Sequence, residues 1–351
     1  MQAKVILTKS PGAHNLRHCY TLEPVPRLEC VPNVSEGRRP EVVAHLLEAV
    51  SATPGVLLLD ASSDPDHNRS VLTLAGEPEA LHAALLALYE VALAEIDLNR
   101  HEGVHPRVGA VDVTPFVPLA GTPMSVAVAA AERLGKAVAE RFALPVYLYE
   151  EAARTPERRR LADLRRGGFE GLARRFADAS WRPDFGSAQV HPTAGATVIG
   201  ARFFLIAFNA VLETADVAVA GAIARRIRES GGGLPAVRAM GVALASRGRA
   251  QVSMNLVDFR QTSLFSVLER VRREAEAEGT RVLETEVIGL VPEEALWGAL
   301  REALCCPVLD GERVLEERLR SERKVLARRS LPPKAAASVR SVRVDPQKRS
   351  R

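Results

Sequence analysis

Two stretches of this chain run through the same succession of hydrophobic periodicities, and that doubling limits the fold more than any other feature. In the first, a strand from Leu28 gives way to a helix from Pro40 to about Ala52, with Val42, Val43, Leu46, Leu47 and Val50 as its apolar stripe. Gly55–Asp60 reads as a buried strand, Val71–Ala75 as another, and Pro78–Ile96 as an Ala/Leu-rich helix before the run Val108–Pro118. In the second, Phe203–Ala210 reads as a strand, Ala215–Glu229 as a helix, and the stretches near Val237–Ala245 and Ala250–Leu256 as strands. A helix over Leu264–Ala277 and a strand over Val282–Leu290 complete it. Strand–helix–strand–strand–helix–strand thus occurs twice, without residue-level identity between the copies. An α/β (α+β) fold is expected, with two similar ferredoxin-like subdomains, each a mostly antiparallel sheet carrying helices on one face.

Between the copies lie a predicted helix at Met124–Phe142, a short strand at Pro145–Tyr149 and a charged helical region from Arg154 to Ala177. The Trp181–Gly186 loop reads as a boundary. Ser230-Gly231-Gly232-Gly233 lacks the lysine and spacing of a phosphate-binding loop and is expected to cap a helix. With 351 residues, 47% of them apolar, the chain can bury a sizeable core, yet no run is apolar and long enough to span a membrane. Its four cysteines form no Cys-x-x-Cys pair, so reduced thiols in a cytoplasmic protein are expected. The net charge of +4 is unevenly spread: residues 312–351 carry +8, leaving about −4 on the rest. Basic character therefore belongs to a tail, which gives no reason to expect a nucleic-acid-binding fold. Residues 1–28, and the chain beyond about Arg329, lack periodicity and are expected to be without order.

The chemistry concentrates at Arg100-His101-Glu102-Gly103-Val104-His105-Pro106-Arg107. Its first histidine and the next four residues spell the H-E-x-x-H pattern of zinc peptidases, which needs both histidines on one helical face. Gly103 sits inside that supposed helix, and Pro106 pushes His105 out of the helical region. No metal site is expected. An extended His105 beside Arg107, leading into a strand, is placed for proton transfer near neutral pH. A surface or capping histidine is the plainer alternative. Arg107 suits a carboxylate, or merely ends a strand. Asp112 is either a buried, partnered acid or a rim residue. Polar clusters at Asn33–Arg38, Asp64–Arg69 and Gly186–Gly200 also interrupt the periodic pattern. Each has a bland reading, as a strand end, a turn and a hinge respectively.

Taken together, several words are similar to those of the formiminotransferase (glutamate formimidoyltransferase) family. They are Glu29-Cys-Val-Pro-Asn-Val-Ser-Glu-Gly-Arg38, Asp64-Pro-Asp-His-Asn-Arg69, Gly103-Val-His-Pro-Arg-Val-Gly-Ala-Val-Asp-Val113 and Pro145-Val-Tyr-Leu-Tyr149. Pro183-Asp-Phe-Gly186, Ala194–Arg202, Leu205–Asn209 and Gln251–Leu256 follow in family order. The resemblance covers residues 29–300 and only the transferase part, without a cyclodeaminase domain. It implies subdomains at 29–204 and 205–320 with a ligand tunnel between them, flanked by an extension at 1–28 and a basic tail at 321–351. A homodimer is also implied. So is transfer of a formimidoyl group from N-formimidoyl-L-glutamate to N5 of tetrahydrofolate, the co-substrate, in histidine degradation.

The family's catalytic histidine falls on His105. Its folate loop falls on Gly186-Ser187-Ala188-Gln189-Val190-His191-Pro192-Thr193-Ala194-Gly195. Both ligands carry carboxylates, so Arg69, Arg107 and Arg202 are candidate anchors. Val104 replaces the Glu typical beside the histidine, and His191-Pro192-Thr193 and Phe203 also depart from the family pattern. Those departures point to two alternatives: a folate-dependent transferase with another donor, formyl-glutamate or 5-formyltetrahydrofolate, or a folate-binding protein without catalysis.

Overall fold

The structure, a computed structural model, describes residues 27–119 and 121–319. What the sequence leads one to expect of residues 1–26 and 320–351 lies outside the described residues. The first half comprises β1 (Leu28–Cys30), β2 (Asn33–Val34), α1 (Pro40–Ser51), β3 (Val56–Asp64), β4 (Arg69–Gly76), α2 (Pro78–Glu95) and β5 (Val111–Pro118). Then come α3 (Met124–Phe142), β6 (Val146–Glu150), the short α4 (Leu161–Leu164) and α5 (Leu172–Phe176), and β7 (Thr197–Ala201). The second half has β8 (Ile206–Leu212), α6 (Val217–Ile227), β9 (Val237–Leu244), β10 (Arg249–Leu256), α7 (Leu264–Ala277), β11 (Val282–Ile288) and α8 (Glu293–Ala303).

The doubled pattern folds as two sheets of one plan. In the first, β1 and β2 share a lane between β4 and β5, and β3 lies outside β4, all antiparallel. In the second the order is β11-β8-β10-β9, also antiparallel. Numbering the strands of each unit one to four, both sheets run two, three, one, four across.

The first sheet departs from that plan on one side. There β7 pairs parallel with both β5 and β6, with α3 serving the crossover between β5 and β6, so the sheet is mixed. The sequence conceals this extension. Thr197–Ala201 is buried throughout, so it lacks the alternation that marks a half-exposed strand and reads as a permissive loop.

Helices α1, α2 and α3 line one face of the first sheet. Pro40 opens α1 at a position where its missing N–H is no loss, and Val42, Leu46 and Val50 are its buried stripe. Helix α2 lies between the other two, which explains why its apolar residues run around so much of its surface. Its Tyr89 hydroxyl reaches into the sheet, 3.0 Å from Thr114 Oγ1 and 2.8 Å from Thr197 Oγ1. In the second half, α6 and α7 pack on one face around Ile206, Phe208, Val252 and Val267. Asp216 and Ser263 cap them by accepting from the amides of Ala218 and Ser266, at 2.8 and 3.0 Å.

Three expectations need correction. Strand β3 is not buried: it pairs only with β4, alternates along its length, and exposes Leu57 and Leu59. It also extends through Asp64, leaving only Pro65–Asn68 as the turn. The Arg154–Ala177 region holds only four- and five-residue α-helices. It crosses the sheet face opposite α1–α3, where Leu164, Leu172 and Phe176 join Val113, Tyr147, Tyr149 and Val198 in a separate small core. The extension bounded at residue 28 is one residue too long: Leu28 opens β1 fully buried, as the reading of a strand from Leu28 has it.

Candidate active site

Asn68 stands where three of the conspicuous words meet. It occupies the β3–β4 turn with a left-handed backbone (φ 48°) and is 7% exposed. Its side-chain oxygen accepts from the Gly37 amide at 2.9 Å, and its nitrogen donates to the Glu102 carbonyl at 2.9 Å. The Asn68 carbonyl in turn accepts from His101 Nε2, also at 2.9 Å. Glycine is required on both flanks. A Cβ on Gly37 would strike the Asp64 carbonyl and Arg69 amide, and one on Gly103 would strike the His67 carbonyl. The Val104 amide completes the join by donating to the Asp66 carbonyl at 3.2 Å.

His101–Arg107 is irregular backbone, as Pro106 foretold, and regular β5 begins only at Val111. His101 therefore turns to Asn68 while His105 turns to Arg69, the first residue of β4. His105 Nδ1 lies 2.8 Å from its own Pro106 carbonyl, and Nε2 contacts the Arg69 guanidinium. A carbonyl can only accept and a guanidinium can only donate, so the hydrogen is on Nδ1 and the lone pair on Nε2. Burial, with Arg69 and then Arg165 beside it, pushes the imidazole pKa far down, and the ring is neutral. Burial and Arg165 also pull Arg69 down to about 9, still a cation at neutral pH. The His67 ring lies 5.9 Å from that of His105.

Behind this pair is Asp112, 2% exposed. It occupies a bulge: Val34 pairs with Val111 and Asn33 with Val113, so Asp112 has no opposite residue. One carboxylate oxygen accepts from the Val108 amide at 2.8 Å and the other from Arg165 at 2.5 Å. Asp112 is thus a buried, partnered acid.

The three candidate anchors part company. Arg69 faces His105, no carboxylate bonds it among the described residues, and its Nε is buried without a partner. Arg107 is paired with Glu170 at 3.0 Å and donates to the His101 carbonyl at 3.1 Å. Arg202 donates to the Phe203 carbonyl at 2.9 Å and stands by Tyr149, whose hydroxyl burial pushes up to about 12 against the pull of Arg202.

The candidate folate loop divides in two. Its far end is latched beside the segment that carries His105 toward β5. Thr193 accepts from the Leu98 amide at 2.8 Å, Ala194 from Ala110 at 3.0 Å, and Gly195 bridges to Gly109. His191 Nδ1 accepts from the Ala194 amide at 3.0 Å, closing the turn on itself. The near end, Gly186–Gln189, is exposed. Just before it, Asp184 binds Arg158 at 2.7 Å and the Leu148 amide at 2.8 Å, anchoring the loop to β6. Sequence reasoning did not select Arg165, Asn68 or His67 for the site. A single arginine in an Arg-rich stretch gives no signal, since its partner Asp112 lies 53 positions away.

Contacts between the two halves include Arg238 with Glu150 at 3.0 Å and Ser246 Oγ with Asp66 at 2.6 Å, the latter directly before His67. His105 lines neither the cavity of about 600 Å³ beside Trp297 nor the one of about 230 Å³ between Gly37 and Val43.

Residues 27–202 match the family model for the formiminotransferase domain, N-terminal subdomain, and residues 207–302 the model for the formiminotransferase domain. A glutamate formimidoyltransferase of Streptococcus pyogenes serotype M1 is 43% identical, over 77% of this chain and 90% of that protein. One of Thermoplasma acidophilum is 41% identical, over 83% of this chain and 97% of that protein. The formimidoyltransferase-cyclodeaminase of Mus musculus is 44% identical, over 78% of this chain but only 51% of its own length.

Proposed function

Because the chain belongs to the formiminotransferase family, a family of transferases, we propose that it moves a formimidoyl group from N-formimidoyl-L-glutamate to N5 of tetrahydrofolate, with His105 carrying the proton. The products are 5-formimidoyltetrahydrofolate and glutamate, which places the reaction in histidine degradation. N5 attacks the amidine carbon, so an N5–C bond forms and the C–N bond to glutamate breaks. N5 gives up one proton and the departing glutamate nitrogen gains one. His105 Nε2 accepts the first and returns it to the second, and no metal is needed for the step. Such a relay contributes on the order of 10²–10⁴-fold.

The observation that carries this reading is the fixed tautomer. With Nδ1 committed to the Pro106 carbonyl, Nε2 alone presents a lone pair. In this reading tetrahydrofolate lies along Gly186–Gly195 in a tunnel between the halves, and Arg69 is the strongest of the three candidate carboxylate anchors. A cytoplasmic homodimer belongs to the same reading.

Purified protein should transfer the formimidoyl group between the two substrates. His105→Ala should lower kcat on the order of 10²–10⁴-fold while tetrahydrofolate still binds. Full activity in that variant would remove His105 from the mechanism. Val104, 58% exposed beside His105, keeps a second reading open, in which the donor is formyl-glutamate or 5-formyltetrahydrofolate. Activity with either formyl donor, and none with the formimidoyl donor, would favour it.

A further inference from the structure

We propose that the contact between Arg69 and His105 is a latch opened by the α-carboxylate of the donor, so that the base is free only when the donor is in place. This rests on the formimidoyl-transfer reading and concerns the order of events at the same site. A base whose lone pair faces a guanidinium is blocked, because N5 of tetrahydrofolate cannot reach the lone pair while Arg69 covers it. The blocking group is itself incomplete. Arg39, Arg107 and Arg165 are bound by Glu36, Glu170 and Asp112, whereas Arg69 has no carboxylate bonded to it among the described residues. Its Nε, like those of Arg107 and Arg165, is buried without a partner. A planar guanidinium with free donors fits a carboxylate bidentately, and that bond is stronger than the one to a neutral imidazole.

Covalent geometry selects which carboxylate. In N-formimidoyl-L-glutamate the α-carboxylate is attached to the carbon that bears the reacting nitrogen, whereas the γ-carboxylate lies at the far end of the side chain. The α-carboxylate can sit on Arg69 in any side-chain rotamer while the adjacent nitrogen lies against a histidine that touches Arg69, whereas the γ-carboxylate could do so only with the side chain folded back on that nitrogen. Binding would then move the guanidinium from Nε2 to the carboxylate and place a negative charge beside the ring. The other groups that act on His105 already have partners: Arg165 is paired with Asp112 behind it, and His67 lies 2.9 Å from Asp64 in the β3–β4 turn.

The test is the titration of His105 in the full chain, followed by ¹⁵N NMR on histidine-labelled protein and assigned by comparison with His105→Asn. Two unreactive probes separate the carboxylates: N-formyl-L-alanine carries only the α-carboxylate, and 4-formamidobutanoate only the distal one. Without a probe, His105 should remain a neutral Nδ1–H tautomer to low pH. N-formyl-L-alanine should raise its titration by about 1–3 pH units, and 4-formamidobutanoate should not. Arg69→Gln should raise it without any probe and abolish the response. If N-formyl-L-alanine fails to bind, or binds without moving His105, or if both probes act alike, the latch is overturned. The wild-type titrations decide this even if the variant fails to fold. A parallel turnover assay keeps the two claims apart. Formimidoyl transfer with an unresponsive His105 removes only the latch, and a responsive His105 without transfer removes only the donor assignment.

Discussion

Glu36 shows how a buried charge can hold a site together without entering the chemistry. It is 4% exposed, and burial alone would raise its pKa. The amides of Arg38 and Arg39, at 2.8 and 2.9 Å, and the Arg39 guanidinium at 2.5 Å outweigh that and hold it below the ordinary 4.5. A carboxylate depressed on folding adds stability that is present above its unfolded pKa and lost as pH falls through the folded one. Glu36→Gln should therefore lower the Tm at pH 7, and the deficit should shrink as pH falls below 4.5. Parallel denaturant titrations of both proteins across that range check it. A deficit independent of pH would mean that the side chain acts through shape and not charge.

At the scale of elements, the bulge in β5 determines what reaches the site. It sends Asp112 to Arg165, 13% exposed in its side chain, across from the loop that holds His105. Asp112→Asn removes a buried charge and leaves a guanidinium without its counterion. Losing one member of such a pair costs about 3–5 kcal/mol. Urea unfolding should show that loss, and a change under 1 kcal/mol would mean that Arg165 finds water. The bulge was not legible beforehand, because a period of two residues cannot show where a ladder skips one. The helices were. Met124–Phe142 and Leu264–Ala277 match the sequence reading to the residue, since a stripe at helical spacing is recorded locally. Strand β7 and the exposure of β3 were not, because both depend on which strand lies alongside. At the candidate site, the non-helical backbone around His105 was legible from Pro106; its role as the base is part of the proposed function. Arg69 was legible as a cation, but its contact with His105 depends on a turn that brings together residues 36 positions apart.

At the scale of the molecule, the described residues form two principal hydrophobic clusters, one around Leu72, Leu85 and Phe116 and another around Phe208, Val252 and Val267. The polar links between the halves described above, Arg238 with Glu150 and Ser246 with Asp66, are at least partly solvent-exposed, and such links contribute little. The halves should therefore lose structure separately on heating. Calorimetry should give a total enthalpy larger than the van't Hoff value, and a single two-state transition would show a stronger coupling between the sheets. Asp66 directly precedes His67, so the Ser246 contact brings the second half to the edge of the site, and a ligand between the halves would add to that coupling.

The unpaired residue in β5 has one more consequence, in terms of counting. Val111 belongs to the core under the helices, and Val113, two positions on, to the small core on the opposite face. In an unbroken strand, residues two apart share a face, so a single extra position has reversed the parity of the ladder. Removing one residue here would restore the regular ladder and exchange inside for outside in everything that leads back to His105. The address of the histidine is thus written partly as an odd number. Between Gly109 and Val113, a change of chain length by one should be harder to tolerate than almost any change of residue type.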